Sequence, residues 1–290
     1  MTVLGAVSLP QLSPERLAAV AAAAEDSGLE ELWLWEDCFW SGGIATAATI
    51  LARTERLRVG IGVMPVPLRN VALTAMEVAA LLRLHPGRVL AGFGHGVQDW
   101  MGQVGARVES PMTLLREQLG ALRGLLNGEK VSTTGRYVRL DNVALDWPPT
   151  TPPPIAAAAT GPQTLRLSGE LADATILTAR TTPDGVRAAR TLIEEGRSRA
   201  GRTEAHRVIA YVLTATGPDA SERLTAAQQR NSGEHPAEAG VAGDAQAIAD
   251  TVRRYADAGA DSVVLEPTDD DPDLIEFIRF VGAEVRPLLR

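Results

Sequence analysis

The stretch LRVGIGVMPVPLRNVALTAMEVAALLRLHPGRVLAGFGHGVQDWM, Leu57–Met101, decides the fold. Two short apolar runs with β character, Leu57–Met64 and Arg88–Phe93, flank one amphipathic helix pattern in which Val71, Ala75, Val78 and Leu82 share a face. Each run ends abruptly in glycine, proline and polar residues. This is a strand–helix–strand unit whose strand ends let a ligand or a neighbouring chain approach the backbone closely.

The same alternation runs outward in both directions. Thr2–Leu9 reads as a first strand. Ser13 stands as a helix cap with Pro14 at the first position, and Gly28 closes that helix. Glu31–Glu36 is a second strand, followed by a helix over 43–53. Beyond the central stretch, Met112, Leu115, Leu119, Leu122 and Leu126 mark a helix over 111–127. A hairpin over 130–140 turns near Gly135, and the proline-rich WPPTTPPP leads to a fifth strand, Ile155–Ala159. Ala174–Thr178, Arg207–Thr214 and Ser262–Glu266 complete eight strands, with helices over 184–199, 244–258 and 272–289. The polar segment 217–243 reads as a helix plus a mobile loop. Eight strands alternating with helices predict one α/β domain spanning residues 1–290, a (β/α)8 TIM barrel with short insertions. A doubly wound open sheet would show the same alternation.

Composition narrows the function. The 290 residues are 45% hydrophobic and carry a net charge of −8 with no basic run, which speaks against a nucleic-acid surface. The single cysteine, Cys38, excludes an internal disulfide and fits a reducing, cytoplasmic setting. The N-terminus lacks the charged region of a signal peptide, and no run approaches the roughly 18 apolar residues of a membrane span. The expected partner is a small-molecule substrate rather than a nucleic acid or a membrane. The histidines at 85, 95, 206 and 235 share no ligand spacing, so no metal site is expected. No GxSxG elbow or Walker loop is present.

In such a barrel the chemistry sits at the C-terminal ends of the strands. Thr160 and Gly161-Pro162-Gln163-Thr164 lead from a strand into a helix with proline in the first turn. The N–H groups of Gln163 and Thr164, with the helix dipole, form a phosphate cradle, or else an ordinary strand-to-helix turn. Gly94-His95-Gly96 lets the backbone approach a flat ring or a phosphate, or simply makes a tight turn. It does not complete a dinucleotide fingerprint. His95 is a candidate catalytic group, able to donate to a flavin carbonyl or to transfer a proton, but a lone histidine also fits an inert loop. Glu36 and Asp37 leave the second strand as an acidic pair, which at a helix start also complements the dipole.

Taken together, RVGIGVMPVPLRN, the Gly87-Arg88 that opens the next strand, GFGHG with the tryptophan of QDWM, and GPQTLRLSGELADATIL at 161–177 resemble the luciferase-like monooxygenase superfamily. That superfamily holds flavin-dependent monooxygenases and deazaflavin-dependent (coenzyme F420) oxidoreductases. The resemblance covers nearly the whole chain and is less specific for cofactor or substrate than for the superfamily. It implies coenzyme F420, with FMN as the alternative, its phosphate gripped at Thr160, Gly161, Pro162, Gln163 and Thr164. It further implies a ring resting on Gly62, Val63 and Met64 near Gly94 and Gly96, and held by Asp37, which thereby becomes a catalytic candidate. In the deazaflavin-dependent relatives a bulge with a non-proline cis peptide backs the ring, which implies that the Gly62–Val63 peptide is cis, or at least lies in a bulge with its backbone facing the barrel mouth. Two departures stand out. Cys38 occupies the place of a histidine, and Val97 that of the acidic glutamate of the sugar-phosphate dehydrogenases, which speaks against the sugar-phosphate reaction. The expected activity is hydride transfer with a small organic substrate. The alternatives are an FMN-dependent monooxygenase and a flavin-binding barrel without catalysis. The resemblance also implies a homodimer, built on the helix over 71–84.

Overall fold

The computed structural model describes residues 2–230 and 236–289. Eight parallel strands form the barrel: β1 (Val3–Val7), β2 (Glu31–Leu34), β3 (Arg58–Pro65), β4 (Val89–Gly94), β5 (Ile155–Ala158), β6 (Ala174–Leu177), β7 (Arg207–Ala215) and β8 (Ser262–Pro267). Each pairs with its successor, β8 returns to β1 through Val3↔Ser262, and β6 meets β7 through Ala174↔Arg207, so the ring is closed. Closure selects the barrel over the open sheet. Parallel strands buried on both faces need near-continuous apolar sequence, which these strands have.

The interior of the barrel is filled by side chains. Val7, Trp33, Leu90, Ile176, Ile209 and Val264 pack there in one cluster. Trp33 fits because a Cβ at Gly60 would lie 2.3 Å from its ring. At the closed end, Glu31 is buried against Arg207 and accepts the Trp33 Nε1–H at 3.0 Å. Above it, the Tyr211 ring lies edge-on to Trp33 at 5.9 Å and tilted against Trp35 at 5.8 Å. An aromatic column therefore leads from the barrel floor to its mouth.

The second core lies between the strands and the outer helices. The helix Val71–Leu84 starts on Asn70, whose side chain accepts the Ala72 N–H at 2.9 Å, and buries Val71, Ala75 and Val78 as its periodicity predicts. The helices Pro162–Leu171 and Pro183–Arg199 cross with their backbones in near contact. A Cβ at Gly169 would lie 2.0 Å from the Ile193 carbonyl oxygen, and one at Gly196 equally close to that of Arg166.

Several expectations need correction. Ser13 makes no side-chain cap: a 3-10 turn, Pro14–Arg16, precedes the helix Leu17–Asp26. The hairpin runs to 143, with strands Val131–Thr134 and Arg139–Val143. The closing helix is three pieces, Leu274–Phe280, a π turn Val281–Val285 and a 3-10 turn Arg286–Leu289. Gly282 there packs against Ser27, whose Oγ a Cβ would approach to 2.2 Å. A short helix, Gln98–Gln103, follows β4 unannounced by periodicity, because six residues are too few to show it. In the 217–243 segment, a helix Ala220–Arg230 and a short strand Gly240–Ala242, paired with the end of β7, are present. Residues 231–235 of that segment, with His235, lie outside the described residues.

Candidate active site at the barrel mouth

β3 carries one residue more than β4 between matched pairs. Ile61 faces Ala91 and Met64 faces Phe93, so three steps on β3 span two on β4. The bulge places Gly62 and Val63 in the wall of a cavity of about 450 Å³ at the C-terminal ends of the strands. Trp35 and Asp37 enter it from β2, Ala158 and Thr160 from β5, Ile176, Thr178 and Arg180 from β6, Tyr211 and Leu213 from β7, and Glu266 from β8. The volume lies within the usual range of small-molecule sites, and the mixture of apolar walls with few polar groups is typical of them.

The acidic pair divides. Glu36 accepts the Gly43 N–H at 3.0 Å, at the start of the helix Gly43–Leu51, and is held by both terminal nitrogens of Arg69. Arg69 also reaches Glu77 at 3.2 Å. Glu36 is thus a helix anchor. Asp37 instead faces the cavity, where burial pushes its pKa up to about 6, opposed more weakly by the Trp35 side chain. Glu266 is pushed up to about 7, first by burial and then by the negative charge of Asp37. Among the described residues neither carboxyl has an ion-pair partner. The Tyr211 hydroxyl is also without a hydrogen-bond partner, although the residue is only 6% exposed. Burial raises its pKa well above the usual phenol value. Its oxygen ends beside Gly62, 2.4 Å from where a Cβ would stand.

The peptide between Gly62 and Val63 is trans, so of the two expected forms the cis bond is absent and the bulge facing the barrel mouth is present. The non-proline cis bond is Cys38–Phe39. The Cys38 thiol is pushed up by burial and by Asp37 and Glu36, which disfavours a nucleophilic thiolate.

The other candidates occupy two places. Gly94 lies just behind the wall, where a Cβ would meet Val63 at 3.2 Å and Ala158 at 3.4 Å. Met64 is fully buried in the outer core and is not a cavity residue. Gly96 makes a turn at φ +68° that a side chain would obstruct against Pro65. His95 does not line the mouth cavity. Its Nε2 lies 3.4 Å from Thr164 Oγ1, whose hydroxyl reaches Met112 Sδ at 3.3 Å. Burial lowers its pKa, opposed by the backbone at Pro111.

The helix Pro162–Leu171 begins on Gly161, and its first hydrogen bond runs from Leu165 N–H to the Gly161 carbonyl at 3.0 Å. The N–H groups of Gln163 and Thr164 are therefore left without helical acceptors, Pro162 and Gln163 are exposed, and a Cβ at Gly161 would meet nothing within 4 Å. This open helix start adjoins Thr160 at the cavity rim.

Sequence reasoning did not pick out Tyr211 or Trp35, and it placed Glu266 at the exit of the eighth strand without giving it a role. For Glu266 a signal exists: it is the one charge in the run SVVLEP, at a strand exit. Among the described residues no group of three His, Cys, Asp or Glu side chains is placed to hold a metal ion. No helix is long and apolar enough to cross a membrane among those residues.

A family model described as luciferase-like monooxygenase matches residues 2–235. The chain is 31% identical, over 215 residues, to the 5,10-methylenetetrahydromethanopterin reductase of Methanolobus tindarius, covering 73% of this chain and 65% of that protein. It is 34% identical over 194 residues to the F420-dependent hydroxymycolic acid dehydrogenase of Mycobacterium tuberculosis, covering 61% of this chain and 53% of that one. The chain thus spans less than two thirds of the length of these relatives. Among solved structures, the coenzyme F420-dependent tetrahydromethanopterin reductase from Methanopyrus kandleri superposes with a TM-score of 0.85 at 22% identity, covering 100% of this chain and 99% of that one. That likeness establishes the (β/α)8 barrel.

Proposed function

The chain belongs to the luciferase-like monooxygenase family, and on that premise we propose that it is an oxidoreductase using coenzyme F420 for hydride transfer with a small organic substrate. The observation that carries the reading is the mouth cavity, largely apolar, backed by the Gly62–Val63 bulge and flanked by an open helix start. The relatives named above, one of them F420-dependent by name, support the same cofactor.

The residues present fit such a group. The N–H groups of Gln163 and Thr164, with the positive end of the helix dipole, would hold its phosphate. The bulge gives a flat backbone wall for a ring, the Tyr211 hydroxyl offers a polar atom still without a partner, and the Asp37 carboxyl faces the same cavity. When bound, a deazaflavin supplies two electrons as a hydride and does not activate oxygen. The protein orients the ring, excludes water with Trp35, Ile176 and Leu213, and supplies protons.

Titration of the purified protein with the deazaflavin and with FMN, followed by absorbance and fluorescence, tests the reading. We expect saturable deazaflavin binding at least about tenfold tighter than FMN, a difference of 1.4 kcal/mol. Preferred FMN binding with oxygen consumption would replace the reading with a monooxygenase. Tight binding without turnover would replace it with a binding barrel.

We also infer a homodimer. The outer face of the helix Val71–Leu84 is apolar, with Met76 60% exposed, and Trp147 beside it is 72% exposed. These residues border a groove of about 540 Å³. An exposed apolar face of this kind suits a two-fold contact.

A further inference from the structure

We propose that Glu266 is the acid of the mouth site: with the Tyr211 hydroxyl it receives one hydrogen-bond acceptor of the substrate, a carbonyl oxygen or imine nitrogen, and gives it the proton that balances hydride arrival at the adjacent carbon. This rests on the hydride-transfer reading above and identifies the class of substrate that reading takes.

The geometry carries the assignment. On neighbouring strands Tyr211 pairs with Val264 and Leu213 with Glu266, and side chains two residues apart share a face. Tyr211 and Glu266 therefore point into the same barrel, Glu266 one step nearer the mouth, and both line the cavity. The Tyr211 hydroxyl is buried and unpaired, a donor without an acceptor. Such a group is costly unless a ligand completes it. Glu266 likewise has no hydrogen bond or ion pair among the described residues.

The charged and titratable groups around Glu266 are Asp37 at the β2 exit, Arg180 at the β6 exit, and Tyr211 on β7. Glu31, deeper on β2, acts on Tyr211 as well. Arg180 has an interaction partner of its own. Burial and Asp37 together keep Glu266 protonated near neutrality, with its pKa at about 7, while Asp37 ionises first. An acid near the working pH is the efficient one. In the reducing direction a bound reduced deazaflavin would supply the hydride to the substrate carbon, and the π electrons of C=O or C=N would move to the heteroatom. The Glu266 O–H bond breaks as the heteroatom–hydrogen bond forms. The cofactor would be left oxidised and Glu266 as a carboxylate, which regains its proton from water.

The test needs neither cofactor nor turnover. A simple ketone carrying carbon-13 at its carbonyl, such as cyclohexanone, serves as the probe of the purified protein by NMR. A protonated Glu266 donating to the ketone moves the carbonyl resonance downfield, and we expect that shift to fade with an apparent pKa of about 7. Glu266→Gln should abolish the pH dependence. Asp37→Asn should move it to lower pH by removing the neighbouring charge. Tyr211→Phe should shrink the shift without moving its midpoint. A carbonyl resonance unaffected by the protein, independent of pH across neutrality, or titrating unchanged in Glu266→Gln overturns the proposal. Failure of the hydride-transfer reading is seen separately, as absence of deazaflavin binding in the titration above.

Discussion

At Glu36 the carboxylate anchors a helix start and a half-buried arginine, while its neighbour Asp37 and the distant Glu266 stand in the cavity without counter-ions among the described residues. The second arrangement has a measurable consequence. Asp37 and Glu266 hold protons more tightly in the folded chain, at about 6 and about 7, than the ordinary 3.8 and 4.5. Folding is therefore disfavoured by these groups as pH rises from about 4 to about 7. Glu266→Gln removes part of that burden. We expect it to raise stability by about 1–2 kcal/mol above pH 7, less than the full 1.36 kcal/mol per unit because the cavity admits water. The gain should vanish at about pH 4, where the parent carboxyl is protonated in both states. Urea unfolding midpoints at the two pH values check this. At Gly161 the open space means that Gly161→Asp leaves the fold intact while adding a carboxylate to the open helix start. Deazaflavin affinity should fall at least about tenfold by fluorescence titration, with circular dichroism unchanged. Equal affinities would reject the phosphate placement.

At the scale of elements, two close approaches depend on glycine. A Cβ on Gly62 would press against Tyr211 Oη at 2.4 Å and the Leu34 carbonyl at 3.1 Å. Gly62→Ala therefore forces the bulge and the Tyr211 ring apart. The expected outcome is a loss of about 1–3 kcal/mol of stability together with weaker deazaflavin binding, read by thermal melting and by titration. In the outer layer, Gly169 lets the helices Pro162–Leu171 and Pro183–Arg199 touch backbone to backbone. Gly169→Ala should cost at least about 2 kcal/mol, since backbone cannot swing aside as a side chain can. If melting temperature barely moves, the crossing is looser than described.

For the whole molecule, the apolar outer face of the helix Val71–Leu84 stands apart from the mouth and is the proposed seat of a dimer. Light scattering at micromolar concentration should give twice the chain mass. Met76→Glu should give a monomer with an unchanged circular dichroism spectrum, because Met76 contributes no core packing. A parent chain that is itself monomeric removes the dimer. A dimer that survives Met76→Glu places the contact elsewhere.

The amino-acid sequence alone determined the eight strands to within a few residues at each end. Each is a continuous apolar run closed by glycine, proline or a polar residue, and a parallel strand covered on both faces permits little else. It also determined the open helix start at Gly161–Thr164, since proline in the first turn and the absence of helical acceptors are local facts. Asp37 was legible as a strand-exit carboxylate, although nothing local separated it from Glu36. The family resemblance singled out Asp37, and the tertiary structure gives the physical reason, because the partners that claim Glu36, Gly43 and Arg69, are brought to it by the helix after β2 and by the turn after β3. The same holds for Tyr211 and Glu266, which lie on β7 and β8 and face Asp37 and Gly62 only once the ring closes. His95 shows the converse. Its loop position suggested the mouth, but the turn at Gly96 and the start of the helix Pro162–Leu171 draw its ring toward Thr164. Spacing along a chain reports which groups leave a strand, and barrel closure reports which of them meet, because side chains from opposite strands come together only across the finished interior.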